Sequence, residues 1–398
     1  MRRKWIGAAA LVAAVATLGV GKAALEAAAE RQEARQVEVP TFEVDPTWPE
    51  PLPNHWVLGS VIGVGVDSRD HVYIIHRRAS VDPRTEGGAG QEPPIGECCL
   101  PAPPVLVFDQ AGNLVDHWGG PGEGYTWPSS NHGLQISPRG NVWIGGNGGG
   151  DSHALKFTRD GEFLMQVGEP GQGVDNDSRE HFARPAKISF TPGGEEAFVA
   201  DGYGNRRVAV IDPSSGEFLR YWGAYGNEPK DVDLGPYDPD TPPPNQFRTP
   251  VHCAEPSDDG LIYVCDRVND RIQVFRSDGT FVQEKFIAPE TLGDGSVWDI
   301  AFSHDPEQEY LYLADGKNMR IYVLDRESLE VLTTFGDGGR QPGQFYAVHS
   351  IETDSEGNLY TTETYEGKRV QKFVFQGMGT VEMGSDQGVV WPEGEGGS

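Results

Sequence analysis

The chain has 398 residues, 37% of them hydrophobic, with 52 glycines and 30 prolines, and its 60 acidic against 32 basic residues leave a formal charge of −28. That much glycine and proline excludes a fold of long helices and suits many short strands joined by turns. So acidic a surface repels DNA, RNA and anionic lipid, which removes all three as partners; simple solubility, a salty habitat, or a preference for cationic ligands and calcium remain as its meaning.

Arg2, Arg3 and Lys4 precede an apolar run from Trp5 to Val20, the pattern of an export signal. The run is short for a membrane span. The Arg2-Arg3 pair before Trp5 and Ile6 fits the twin-arginine route, with the ordinary secretory route as the alternative. No clear A-x-A site follows, so an uncleaved N-terminal anchor stays open. Residues 1–38 are therefore expected to be a signal or anchor plus a tether, with the protein exported to the periplasm or beyond. Residues 39–382 are expected to fold, and the Gly- and Glu-rich 383–398 to be a disordered tail.

One pattern then recurs six times, at 61–78 with 103–119, 132–168, 186–223, 252–287, 297–336 and 349–375. The copy TPVHCAEPSDDGLIYVCDRVNDRIQVF (249–275) shows it most clearly. His252 opens an alternating run, Asp258-Asp259-Gly260 turns the chain, LIYVCD runs back, and RIQVF makes a third strand of period two. Asp160-Gly161, Ser215-Gly216 and Asp278-Gly279 each precede an aromatic that starts a fourth strand. A four-stranded sheet this small cannot bury its own faces, so the copies must stack around an axis as an all-β, six-bladed propeller. The sixth copy lacks its outer strand, and TFEVDPTWP (41–49) is the natural donor that closes the ring. A monomer is expected. Two stretches, 79–102 and 226–248, do not read as strands and are expected to form long loops, where sites are usually built.

Of the four cysteines, Cys253 and Cys265 fall on adjacent strands of one blade and either pair or stay as buried thiols. Cys98 and Cys99 are neighbours, and in an exported protein a vicinal disulfide is expected to shape the loop over the channel mouth. With no C-x-x-C, a cysteine zinc site is not expected.

The starts of the six first strands hold Ile62, His132, Ala186, His252, Trp298 and His349. Histidine thus occupies blades two, four and six, which lie about 120° apart around the channel that first strands line. Three imidazoles converging on the axis with an open fourth position is the arrangement of a catalytic zinc site. At the ends of second strands stand His76-Arg77, Asp201-Gly202-Tyr203, Asp266-Arg267 and Asp315-Gly316. The aspartates are expected to brace turns and to pair between blades with Arg207, Arg271 and Arg320. Arg77, Tyr203 and Arg267 break the repeat, which suggests roles of their own. Two guanidiniums near a phenol would favour the phenolate, making Tyr203 a better base, and would grip a carboxylate.

The repeat resembles the NHL-repeat propellers. Within them, residues 60–375 resemble the peptidyl-α-hydroxyglycine α-amidating lyases, in particular an exported bacterial branch. The resemblance rests on IIHRR (74–78), HGLQIS (132–137), ADGYGNRRV (200–208), VHCAEPSDDGLIYVCDRVNDRIQVF (251–275) and VHSIETD (348–354). It implies zinc on His132, His252 and His349, catalytic roles for Tyr203, Arg77 and Arg267, and cleavage of an α-hydroxyglycine into an amide and glyoxylate. It also implies a calcium on the backbone carbonyls of Val64 and Leu134 plus an aspartate, but that residue here is Ser350; a methionine of the family's site corresponds to Ala347. Two readings follow: a zinc lyase acting on a small carboxylate-bearing or peptide-like substrate, or a binding scaffold whose channel metal holds the blades together. A sugar- or lactone-processing propeller would want a carboxylate-rich calcium site where this axis carries histidine.

Overall fold

The computed structural model describes residues 35–392. The export signal read from Arg2 to Val20 lies outside them. No helix among the described residues is long and apolar enough to cross a membrane.

Six antiparallel sheets follow one another in chain order, with the strands of blades one to five in sequence from the innermost outward, and they form a six-bladed propeller. The innermost strands are Val61–Val66, Asn131–Ile136, Ile188–Phe190, Val251–Pro256, Asp299–Phe302 and Val348–Thr353. Gln36–Asp45 supplies the outer strand of blade six, pairing antiparallel with Val370–Glu382. The expected donor is therefore correct, and its strand starts before residue 39.

The core consists of clusters lying between neighbouring blades. Phe198, Val210 and Trp222 of blade three meet Ile262, Val264 and Phe275 of blade four, and Val64, Ile74 and Phe108 of blade one meet Tyr360 and Val370 of blade six. The period-two pattern explains this, since alternate residues of a strand face opposite neighbours and both faces of an inner strand are covered. At the closure, Phe42 packs against Tyr312 at 5.5 Å and Phe335 at 5.7 Å between ring centroids. The hairpin glycines have a packing reason as well. Gly161 sits at φ +82° on the ring of Trp118, where a Cβ would come within 2.5 Å, and Gly279 sits likewise on Trp222, whereas Gly216 packs on Val167 and Met165.

Three expectations need correction. The segment after 383 is not a disordered tail as far as it is described: Ser385–Asp386 pairs parallel with Val331–Phe335, and Val44 N donates to Val390 O at 2.8 Å. The braces of the repeat lie within a blade, because Asp201↔Arg207 and Asp266↔Arg271 are cross-strand partners, each bonded at 2.8 Å. Arg320 pairs with Asp386 at 3.2 Å, while Asp315 takes its bonds from Asn318 and Lys317. Finally, Leu100–Pro101 within 79–102 forms a short parallel pair with Trp56–Val57.

Both cysteine pairs are joined. Cys253 and Cys265, direct cross-strand partners, form one disulfide, and Cys98 and Cys99 form the vicinal one.

Candidate active site on the propeller axis

His132, His252 and His349 stand at the same end of the innermost strands of blades two, four and six. Their ring centroids lie 4.8 to 5.1 Å apart, and one ligand nitrogen from each falls within 4.8 Å of the others. All three are at most 4% exposed.

The odd-numbered blades fix how these rings face. His132 Nδ1 donates to Ala186 O at 2.8 Å, and His252 Nδ1 donates to Trp298 O. His349 Nδ1 lies 3.1 Å from Ser350 Oγ, which donates to Ile62 O at 3.3 Å. Ile62, Ala186 and Trp298 are the three non-histidine positions of the same register. Each Nδ1 therefore keeps its proton, and each Nε2 keeps a lone pair for a metal. Burial pushes the pKa of all three imidazoles well below the ordinary histidine value, and the charge of Arg267 pushes the same way. Three neutral, oriented nitrogens with a phenol beside them fit a divalent metal with an open position. Ser350→Ala removes the one side chain in this orienting set, so metal affinity should fall about 10–100-fold. Competition with a chromophoric chelator measures this, and an unchanged affinity would contradict the role.

Tyr203 follows the end of blade three's second strand. Its hydroxyl lies 3.0 Å from His132 Nε2, 3.2 Å from His252 Nε2 and 3.3 Å from Arg267 Nη1. Arg267 is buried with its guanidinium over the Trp298 ring at 4.7 Å, and Asp294 lies 3.7 Å away. Of the expected pair of guanidiniums, Arg267 hydrogen-bonds the phenol, while Arg77 lies close enough for its charge to act with Tyr203 but makes no hydrogen bond to it among the described residues. Arg77 donates from Nε to Asn131 O at 3.1 Å and from Nη2 to Asn147 Oδ1 at 2.9 Å, and Nη1 has no bond among the described residues. Burial lowers the Arg77 pKa.

Sequence reasoning missed two residues of this rim. Asn147 in blade two stands one residue past the second strand, as Arg77 and Arg267 do in blades one and four, and Tyr365 in blade six stands two past it, as Tyr203 does in blade three. Asn147 anchors Arg77, and half-exposed Tyr365 stands where Arg267 and Arg77 act on it. Carrying the register through all six blades would have found both.

Deeper in the channel the inner strands carry a second polar layer. Lys187 Nζ bonds Asp299 at 2.9 Å and Glu255 at 3.0 Å, Ser189 Oγ donates to Glu255 at 2.8 Å, and Gln135 donates to Glu352 at 2.9 Å. Burial opposes the lysine's charge, yet Asp299 and Glu255 hold its pKa above the ordinary value. Burial pushes Asp299 and Glu352 upward, while the charge of Lys187 pulls both the other way. Cys253, Glu255 and Asp299 also cluster, but Cys253 is in a disulfide and Lys187 already bridges the carboxylates. Val64 and Leu134, the expected calcium carbonyl donors, are buried on adjacent inner strands, and Ser350 stands at the third position. Lys187→Met strands two buried carboxylates and should cost about 3–5 kcal/mol; thermal denaturation with a midpoint equal to wild type would refute this.

Fold and site together define a six-bladed β-propeller with a three-histidine centre on its axis and a tyrosine and an arginine packed against it. No family model matches the chain. It is 26% identical over 337 residues to peptidyl-glycine alpha-amidating monooxygenase A of Xenopus laevis, a match covering 81% of this chain and 32% of that protein. The chain therefore spans about a third of that relative's length. It is 23% identical over 312 residues to the probable peptidyl-alpha-hydroxyglycine alpha-amidating lyase pgal-1 of Caenorhabditis elegans, covering 77% and 80% of the two chains. It is also 25% identical over 357 residues to NHL repeat-containing protein 3 of Mus musculus, covering 85% and 86%. A solved protein of unknown function from Bacteroides thetaiotaomicron matches at a TM-score of 0.50 and 13% identity over 86% of this chain and 77% of that one, a likeness of fold alone. The sequence relatives bear out the resemblance to NHL-repeat propellers and amidating lyases and support a lyase-like propeller.

Proposed function

We propose that the protein is an exported, zinc-dependent lyase that cleaves the carbon–nitrogen bond of an α-hydroxyglycine-type substrate, releasing an amide and glyoxylate. The observation that carries this reading is the Tyr203 hydroxyl, placed 3.0 and 3.2 Å from two of the three axial Nε2 atoms with Arg267 against it. Similarity to pgal-1 supports it.

His132, His252 and His349 would hold the zinc, which supplies Lewis acidity toward a hydroxyl oxygen when bound. In its phenolate form Tyr203 is placed to accept the proton of that hydroxyl. As the new carbonyl forms, the carbon–nitrogen electron pair leaves with the nitrogen, which takes the proton back from Tyr203, so atoms and charge balance. Arg267, fixed on Trp298, and the unbonded Nη1 of Arg77 offer N–H donors to the substrate carboxylate. The test is glyoxylate release from α-hydroxyhippurate by zinc-loaded protein; no release would overturn the reading.

The deep burial of the three histidines favours a second reading, an axial metal that only ties blades together in a binding scaffold. The same assay separates the two.

A further inference from the structure

Beside the axial site, on the face where the histidines stand, a cavity of about 410 Å³ opens between blades one and two. Its walls include Pro104, Pro121, Trp127 and Pro128, and its lining also takes in Arg77 and Asn131, which neighbour the axial site. Asn131 directly precedes His132, and its carbonyl holds Arg77 Nε. Arg77 is therefore common to both spaces.

The cavity is built to keep its shape. Tyr125 Oη donates to Gly120 O at 2.9 Å while its ring packs on Phe163 at 4.9 Å. His153 Nε2 lies 2.6 Å from Thr126 O. Buried Asp151 accepts from Ser129 N and Oγ and from Ser130 N at 2.8 to 3.0 Å. Trp127 is backed by Phe157 at 6.1 Å and lies on Gly119, where any Cβ would come within 2.9 Å of the indole. Its partly open ring and the flanking prolines make a stiff apolar slot with few side-chain torsions left to freeze. That is the composition of a ligand subsite, apolar walls with a few fixed polar groups at one end. The cost of ordering it has been met by folding.

We propose that this slot is the subsite for the acyl group of the substrate, and that it selects α-hydroxyglycines whose acyl group carries a flat apolar body such as an aromatic ring. The assignment rests on the lyase reading above. A substrate whose carboxylate reaches Arg77 can lay its acyl end along the Trp127 wall, since both residues line the slot, and the slot excludes water from a ring laid there. Small acyl groups leave the wall uncovered and gain nothing from it.

Two unreactive analogues, hippurate and N-acetylglycine, share the carboxylate and amide and differ in the acyl body. Calorimetry on zinc-loaded full-length protein should show hippurate binding about tenfold or more tighter, the scale expected for burying a ring. Trp127→Ala should bring the two affinities within about twofold. Ala79→Phe, which fills the slot from an exposed lining position, should weaken hippurate much more than N-acetylglycine. The kcat/KM ratio of α-hydroxyhippurate to N-acetyl-α-hydroxyglycine should move in parallel. Equal wild-type affinities, or a ratio that neither variant shifts, overturn the subsite. A Trp127-dependent preference in binding with no glyoxylate from either hydroxylated compound upholds the slot and overturns the lyase reading.

Discussion

Protein purified without added metal should carry one divalent ion per chain, and His252→Ala should lose most of it while His304→Ala should not. The effect should exceed the change expected for Ser350, because His252 supplies one of three ligand atoms and Ser350 only orients one. His304 is exposed on the opposite face, in a cavity with Asp305 and Glu307, and shares no contact with the axis. The pH dependence follows from the same burial. Proton and metal compete for each Nε2 lone pair. Burial lowers the imidazole pKa values well below 6.5, so protons compete only at lower pH, and the ion should stay bound at pH 6, where an exposed three-histidine site starts to release it. Elemental analysis of desalted protein across this range reads both points. Substoichiometric metal that added zinc does not raise, or loss beginning near pH 6.5, would remove the metal from the centre.

The architecture was legible because a propeller turns sequence register into position. Once each repeat is aligned on its first strand, His132, His252 and His349 fall on the axis without any knowledge of side-chain contacts. Arg267 and Asn147 follow from the first position after the second strand, and Tyr203 and Tyr365 from the next one, as soon as all blades are included. The Lys187–Glu255–Asp299 layer was less legible. Its members come from three blades, and each looks like a polar residue of an alternating strand until the channel geometry brings them within 3.0 Å. The cross-strand bonds of Asp201 and Asp266 were misread for a related reason. An Asp and an Arg five or six residues apart around a turn are direct partners in an antiparallel pair, so neither needs a neighbouring blade. Ser385–Asp386 carries no periodic signal, being two residues in a Gly- and Glu-rich stretch whose pairing depends wholly on the edge of blade five.

Tyr203→Phe should lower kcat for glyoxylate release by about 10²–10⁴-fold, the range for loss of a positioned general base, with metal content unchanged. The substitution deletes one oxygen and keeps the ring, so the packing of Tyr203 on His132 at 4.9 Å is retained. What goes is the atom bonded to His132, His252 and Arg267. The three imidazoles take their orientation from Ala186, Trp298 and Ser350 rather than from this hydroxyl, so the metal site stays assembled and its content is a fair control for folding. The partition between constants carries the mechanistic content. In the proposed lyase, carboxylate binding falls to Arg267 and Arg77, neither of which loses its anchor on Trp298, Asn131 or Asn147. KM should therefore change far less than kcat, as expected for a group that acts in the transition state and not in ground-state binding. A proportionate rise in KM with kcat intact would make Tyr203 a binding residue. A variant as active as wild type, with its metal in place, would take the proton transfer away from Tyr203 and leave the lyase reading without its base.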